Sequence, residues 1–369
     1  MERINKLRQK FDEYKISGMI FKDVASVRWF SGCNAHGNAI MVICQNDVYF
    51  ITDGRYAEQA KNEVKDAQVL VTESGSYFEE IVKAGIIKKR QRIGFEAWEF
   101  PYSDFQFLKK LLTWVRFIPL PNIVETLASI KEPKEIALIR KVVRLTDHIL
   151  EKHILPKIKV GASENDLAAE VLYQGRKHGL ETSFDPIVLS GFRSSLIHGE
   201  PSAKIVAVGD ILQFDIGFKH EGYCSDLSRV VFIGKEPDKT QREVYATVLD
   251  SQNKAIATVE PGVKCSDLDK IARDFIKEKV SAENWQVDDM ELGFGHSLGH
   301  GVGIWIHTLP RISNLINSLE VVEAGNVFTV EPGIYIPGWG GMRLEDVVLV
   351  TKDGYENLTK SSKDIKVLG

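Results

Sequence analysis

Acidic residues set at matched distances from tight turns constrain this chain more than any other feature. Residues 208–233 read VGDILQFDIGFKHEGYCSDLSRVVFI. Two runs rich in β-branched and aromatic residues, 211–218 and 223–232, flank the polar Lys219-His220-Glu221-Gly222, with a glycine where positive φ is easiest. This pattern predicts a β-hairpin. With its turn centred between His220 and Glu221, Asp215 and Asp226 are equidistant from the centre and are expected to face each other across the ladder. Directly opposed residues have Cβ atoms about 4.5–5.5 Å apart, where like charges are destabilising. The pair therefore requires a proton or a cation. A second hairpin repeats the device: 327–336 and 342–351 read as strands around Pro337-Gly338-Trp339-Gly340-Gly341, and Glu331 and Glu345 are equidistant from Gly338. Aspartates at frayed strand ends would account for one such pair, but two hairpins with opposed acids imply a site.

The chain has 369 residues, enough for two domains. A formal net charge of −4 gives no basic footprint for nucleic acid or an anionic membrane, so neither partner is expected. Cys33, Cys44, Cys224 and Cys265 show no CxxC spacing and suit buried thiols in a reducing compartment. The N-terminus places Ile4, Leu7, Phe11 and Tyr14 at helical spacing among charges, an amphipathic helix and not a signal sequence. No apolar run approaches the ~20 residues of a membrane span. A cytoplasmic location is expected.

Up to about Pro121, short apolar runs at 18–21, 39–44, 48–52, 68–72 and 93–95 alternate with helical patterns at 55–64, 77–84 and 103–114, an α/β unit with its own core. A linker is expected around 120–135. Beyond it the predicted helices are longer: 134–155 as one amphipathic helix, 163–179 opened by the capping box Ser163-Glu164-Asn165-Asp166, 240–259, and a helix reaching 280 opened by a like box, Ser266-Asp267-Leu268-Asp269. Helices and acid hairpins alternate, as in two similar halves of one α+β domain.

The stretch GFGHSLGHGVGIWIHTLP, 293–310, sets His296, His300 and His307 among five glycines, which suggests backbone approaching a site closely. No HExxH helix is present, which excludes a zincin-type centre. Four carboxylates and an imidazole form a mostly hard, oxygen-rich donor set, suited to two divalent ions sharing carboxylates. Paired ions about 3.5–4 Å apart activate water at neutral pH and polarise a carbonyl, which is hydrolytic chemistry.

FDIGFKHEGYCSDLSR, GHSLGHGVGIWIH, TVEPGIYIP and GMRLEDVVLVT resemble the signature segments of the pita-bread metallopeptidases, in the branch of prolidases (Xaa-Pro dipeptidases) and aminopeptidases P. WFSGCNAHGNAIMVI and ITDGRYAEQA resemble that branch's creatinase-type N-terminal domain, and TLASIKEPKEIALIRK its junction helix. The resemblance implies an α/β creatinase-like domain over 1–124 and an α+β pita-bread catalytic domain over 125–369. Carried across residue by residue, it implies that Asp215 binds one metal, His300 and Glu331 the other, and that Asp226 and Glu345 bridge both. Glu331 would also act as acid/base. His198 and His307 would contact the scissile carbonyl and its tetrahedral intermediate, with His296, Tyr335 and Arg343 lining or buttressing the site. Arg311 resembles the arginine that holds the free carboxylate of a dipeptide, and His36 is a candidate visitor to the site of a second chain in a homodimer.

The implied activity is hydrolysis of the bond before proline in Xaa-Pro dipeptides, with release of the N-terminal residue from longer Xaa-Pro peptides as the alternative. A metal-free amidinohydrolase would be expected to lack several of these carboxylates, and a non-catalytic peptide-binding relative would have a decayed site. Manganese is the expected ion, although cobalt, zinc and iron tolerate the same donors. Thr308 stands where the family has an acid, and Trp305 and Arg193 replace smaller residues. These departures bear on pocket shape and substrate range, and touch none of the five ligands.

Overall fold

The computed structural model describes residues 1–73, 75–285, 294–314 and 320–369. It divides into two compact units, Met1–Ala128 and Ser129–Gly369.

The first unit is built on a six-stranded mixed sheet in the order Gln68–Thr72, Val48–Asp53, Ala39–Cys44, Gly18–Phe21, Arg92–Glu96, Arg116–Leu120. Gly18–Phe21 and Ala39–Cys44 are buried along their whole length, as strands covered on both faces are, so they show an apolar run and no alternation. The strand Arg116–Leu120 and the helix Val24–Ser31 are not among the predicted elements; Pro119 interrupts the strand pattern of the first. Asp23 caps that helix by accepting from Ser26 N at 2.7 Å. Glu96, at the end of its strand, accepts from Lys22 N at 3.0 Å and Asp23 N at 3.1 Å, and from the Ser26 hydroxyl.

In the second unit, Pro133–Ile149 opens on a capping box of Glu132 and Glu135, and Glu164–Lys177 on the expected box of Ser163 and Asp166. The helix predicted as one element over 134–155 leaves α-geometry at Leu150. A π turn, Leu150–Ile154, and a short 3₁₀ turn, Leu155–Lys157, follow it, because Pro156 has no N–H with which to continue the ladder. The box predicted at 266–269 does not form. The helix Cys265–Glu283 starts from Lys264 without a side-chain cap, and Asp269 turns inward.

The strand Ile211–Ile216 pairs antiparallel with Leu227–Ile233 and with Ile187–Ser190. Its side chains alternate between two cores with the period of a strand. Leu212, Phe214 and Ile216 join Leu227, Val231 and Ile233 under the helices Pro133–Ile149 and Glu164–Lys177. Ile211, Val230 and Phe232 face the other core, formed with the helices Lys239–Ala257 and Cys265–Glu283. Asp215 and Ser228, opposite each other, continue that second face as polar residues.

The first hairpin therefore has a different register from the one predicted. His220 pairs with Tyr223, so the turn is the two residues Glu221 and Gly222, with φ of 49° and 91°. Positive φ at both centres is the type I′ geometry whose twist suits a two-residue hairpin. The turn centre moves by one residue, and Asp226 becomes the diagonal neighbour of Asp215 on the same face. Diagonal pairs are about 7–8 Å apart at the backbone, which leaves more room between the carboxylates than direct opposition. The second hairpin keeps its predicted register: Val330 pairs with Asp346 and Gly333 with Arg343, so Glu331 falls opposite Glu345.

Burial drives the Glu96 carboxyl up to about 7, against the lowering effect of its Ser26 and backbone hydrogen bonds. Its folded value lies above its unfolded one, so its contribution to stability is full below the usual carboxylate range and is lost as pH rises through about 7. Glu96→Gln can keep the backbone acceptor. Relative to wild type, its thermal stability should gain on the order of 2–3 kcal/mol between pH 4.5 and 8; parallel curves would refute this.

Candidate metal centre

A cavity of about 600 Å³ in the second unit is lined by ten of the twelve residues singled out in the sequence: Asp215, Asp226, Glu331, Glu345, His300, His198, His296, His307, Arg311 and Arg343. Tyr335 stands behind them. Its hydroxyl lies 2.9 Å from His296 Nε2 and accepts from Arg343 Nη1 at 2.8 Å. His36 does not line this cavity. It is an exposed residue of the first unit, in a turn with φ of 47°. Gly293, at the head of the glycine-rich stretch, lies outside the described residues.

The local fold explains why the acids converge. Asp215 stands one residue from the end of the strand Ile211–Ile216, and Asp226 precedes Leu227–Ile233 on the same face. Glu331 and Glu345 occupy the gap between two ladders of the second hairpin, where each amide turns away from the other. Glu331 N donates to Leu298 O at 2.8 Å, and Glu345 N to Ser228 O at 3.2 Å. His300 arrives on the strand Gly299–Gly301, between neighbours so close that a Cβ on Gly299 would meet Thr329 O at 1.9 Å and one on Gly301 would meet Leu309 O at 2.0 Å. The glycines are there because the backbone needs their space.

His300 Nδ1 lies 3.2 Å from Gly301 O. A carbonyl can only accept, so Nε2 is left as the open nitrogen. That nitrogen is 3.5 Å from Asp226 Oδ2 and 3.3 Å from Glu331 Oε1. Ligand atoms of Asp226, His300 and Glu345 all lie within 4.8 Å of one another. Thr329 Oγ1 donates to Glu331 at 2.9 Å and accepts from His300 N at 3.0 Å, so one hydroxyl fixes both. Ser228 donates to Glu345 Oε2 at 3.0 Å and accepts from Arg343 Nε at 3.1 Å. The guanidinium of Arg343 also pairs with Asp215 Oδ2.

The electrostatics follow from burial. Desolvation raises Asp226 well above the usual carboxylate range, with Glu345, Asp215 and Glu331 adding and Arg343 opposing. Desolvation does the same to Glu345, with Glu331 and Asp215 adding, and raises Glu331 to about 8 against the pull of Arg343. It lowers His300 and His296 to about 3, so both rings are neutral. Four carboxylates share one buried guanidinium, and the buried Asp215 Oδ1 has no hydrogen-bond partner among the described residues. An oxygen-rich set with a neutral imidazole and an unsatisfied carboxylate oxygen fits hard divalent cations.

Sequence reading missed several residues that hold this geometry. Gln252 donates to Val330 O at 2.9 Å and Leu344 O at 3.0 Å, the carbonyls next to Glu331 and Glu345; Leu344 N donates to Pro332 O, but Pro332 has no N–H to return the bond. Asp269 and Arg273, both fully buried, pair at 2.8 Å. Arg273 donates to Phe294 O at 2.6 Å and His296 O at 2.8 Å, and Asp269 accepts from Leu298 N at 2.9 Å, so the pair pins the loop that carries His296. The available signal was a polar residue inside an apolar helical stripe: Gln252 among Val248, Ala255 and Ile256, and Arg273 among Ala272 and Ile276. Arg193 donates to the buried Glu164 at 3.0 Å and to Glu200 O at 2.7 Å, tying down the loop of His198. Thr308 lines the cavity, and its buried hydroxyl has no partner among the described residues.

Gln252→Leu should strand the Leu344 carbonyl, at ~1–3 kcal/mol for a buried unsatisfied group. Denaturant unfolding should register a loss of about 1–3 kcal/mol. A loss under about 0.5 kcal/mol, the range of neutral surface substitutions, would show that the Leu344 carbonyl finds another donor.

Residues 137–352 match the model of metallopeptidase family M24, and residues 3–130 the creatinase/prolidase N-terminal domain. The chain is 34% identical over 365 residues to the Xaa-Pro dipeptidase of Pyrococcus furiosus, covering 99% of both chains. Its fold superposes on an Xaa-Pro dipeptidase from Bacillus anthracis with a TM-score of 0.90 at 37% identity, covering 100% of this chain and 99% of that one. The X-Pro aminopeptidase of Thermotoga maritima gives a TM-score of 0.86 at 34% identity, with 99% of both chains covered. With the matched acids, the glycine-flanked histidine and these relatives agreeing along its length, the chain belongs to metallopeptidase family M24, a creatinase-type N-terminal domain preceding a pita-bread catalytic domain.

Proposed function

We propose that this chain hydrolyses the peptide bond preceding proline in Xaa-Pro dipeptides, using two divalent cations. The observation that carries the proposal is the convergence of the buried Asp215, Asp226 and Glu345, the partly buried Glu331 and the open Nε2 of His300 on a cavity that also presents Arg311. Asp215 would hold one cation, His300 and Glu331 the other, and Asp226 and Glu345 both, and cations so held would supply an activated water and a Lewis acid for the scissile carbonyl. The oxygen-rich donor set favours manganese; cobalt, zinc and iron are the alternatives.

The chain's own groups do the rest. Glu331, oriented by Thr329, takes a proton from the attacking water and delivers it to the leaving nitrogen. His198 and His307, both exposed on the cavity wall, stabilise the charge developing on the carbonyl oxygen. The linked groups Arg343, Tyr335 and His296 hold Asp215 in place. A bond to proline has no N–H, so nothing in the site needs to accept from it. Arg311 offers a planar fork to the free carboxylate of a dipeptide.

The likeness to an X-Pro aminopeptidase supports a second reading, in which the N-terminal residue is released from longer Xaa-Pro peptides. The reading extends to a cytoplasmic enzyme, to which four free, buried cysteines are suited, and to a homodimer in which the exposed His36 reaches toward the site of a second copy. No helix among the described residues is long and apolar enough to cross a membrane.

Two ions per chain are expected by elemental analysis. Asp226→Asn and Glu345→Gln should lose ions and turnover together, and retention of both ions in either variant would overturn the assignment. Arg311→Ala should raise KM for Xaa-Pro dipeptides roughly 10- to 150-fold, equivalent to ~1.5–3 kcal/mol, while changing tripeptide hydrolysis little. Equal effects on both substrates would favour the aminopeptidase.

A further inference from the structure

Three of the nine histidines gather away from the catalytic cavity. The rings of His148, His153 and His178 have centroid separations of 5.3, 4.7 and 6.5 Å for the pairs 148–153, 153–178 and 148–178. None of these residues lines the cavity. We infer that this cluster is a second metal site, selective for a late first-row divalent cation such as Zn²⁺ or Ni²⁺, which clamps the end of one helix to the end of another.

The backbone brings the first two rings together. In an α-helix at 3.6 residues per turn, positions five apart point about 140° away from each other. Here the helix Pro133–Ile149 passes into the π turn Leu150–Ile154, where Leu155 N donates to Leu150 O. A bond from i to i+5 widens the turn beyond the 3.6 residues of the α-helix, so His153 comes round toward the face of His148. The third ring arrives from the C-terminal end of Glu164–Lys177, which packs on the same segment through Leu167, Ala168 and Val171 against Ile149, Leu150 and Ile154.

Two further details suit ligation. His178 Nδ1 lies 2.8 Å from Gln174 O. It must donate to that carbonyl, which leaves Nε2 as the lone-pair nitrogen, and metal-bound histidines commonly have their other nitrogen fixed in this way. The separations also suit a shared ion. With metal–nitrogen bonds of 2.0–2.1 Å in tetrahedral geometry, imidazole centroids around one cation stand about 5 Å apart. As placed, the three sets of nitrogens do not all fall within 4.8 Å of one another, so closure requires rotation of the exposed His148 ring. Imidazole donors select late transition ions over Mg²⁺. His153 already gives up its proton more readily than a free imidazole, through desolvation first, then the neighbouring His178, His148 and Lys177, with Glu170 opposing. Water or the Glu170 carboxylate is available for the fourth position.

The test uses the full chain loaded with its catalytic ions and passed over a chelating resin. Isothermal titration with Zn²⁺ at pH 7.5 should register one further ion per wild-type chain, and titration with Mg²⁺ none. His148→Ala and His178→Ala should each weaken that event at least tenfold, leaving peptidase turnover and catalytic metal content unchanged. Zn²⁺ should raise the melting temperature of wild type and not of either variant. The inference fails if wild type takes up no further ion, or if both variants bind it as wild type does.

Discussion

Everything around the cavity answers to the cost of burying four carboxylates beside a hydrophobic sheet with one guanidinium among them. An isolated buried ion costs several kcal/mol unless it is paired and hydrogen-bonded. Arg343 is therefore held from every side. Its side chain reaches Asp215, Tyr335 and Ser228, and its backbone N–H and carbonyl are both taken by the amide of Gln213, at 2.8 and 3.3 Å. One positive group cannot neutralise four negative ones. The remainder is met by retained protons or by bound cations, and the site is poised to exchange the first for the second.

That requirement accounts for the polar residues in an otherwise apolar core. Thr329 and Ser228 each serve two functional groups, so a single hydroxyl sets the distance between them. Gln252 donates to both carbonyls that flank the acids, Val330 O and Leu344 O. The buried Arg229, paired with Asp346 at 2.8 Å, donates to Glu345 O at 2.6 Å, which fixes the backbone under the carboxylate from behind. Asp269 and Arg273 do the same for the His296 loop. Because buried polar groups of this kind are costly when left unpaired, each such link gives the cavity one geometry.

The glycines around His300 show how steric and electrostatic demands meet. The strand Gly299–Gly301 is squeezed between the Thr329 carbonyl on one side and the Leu309 carbonyl on the other, and only this close approach puts His300 Nε2 within reach of both Asp226 and Glu331. The hydrogen bond to Gly301 O then selects which nitrogen faces the acids.

Read alone, the sequence determined what depends on pattern and local chemistry. Alternation and turn residues located both hairpins, matched distances from Gly338 gave the true pairing of Glu331 with Glu345, and residue types gave a hard donor set with one imidazole. Tertiary structure decided what depends on a single residue of register or on contacts far apart in the chain. The positive φ of Glu221 and Gly222 moved the first turn by one position and made Asp226 a diagonal partner of Asp215. The box expected at 266–269 gave way because Asp269 gains more from Arg273 and Leu298 N than from capping its own helix. The π turn at Leu150–Ile154 breaks the period by which helices are read, so the meeting of His148 with His153 and His178 is set by the fold and not by sequence spacing. Side-chain periodicity is a local property of the chain, whereas the partner of a buried polar group is chosen by the whole fold.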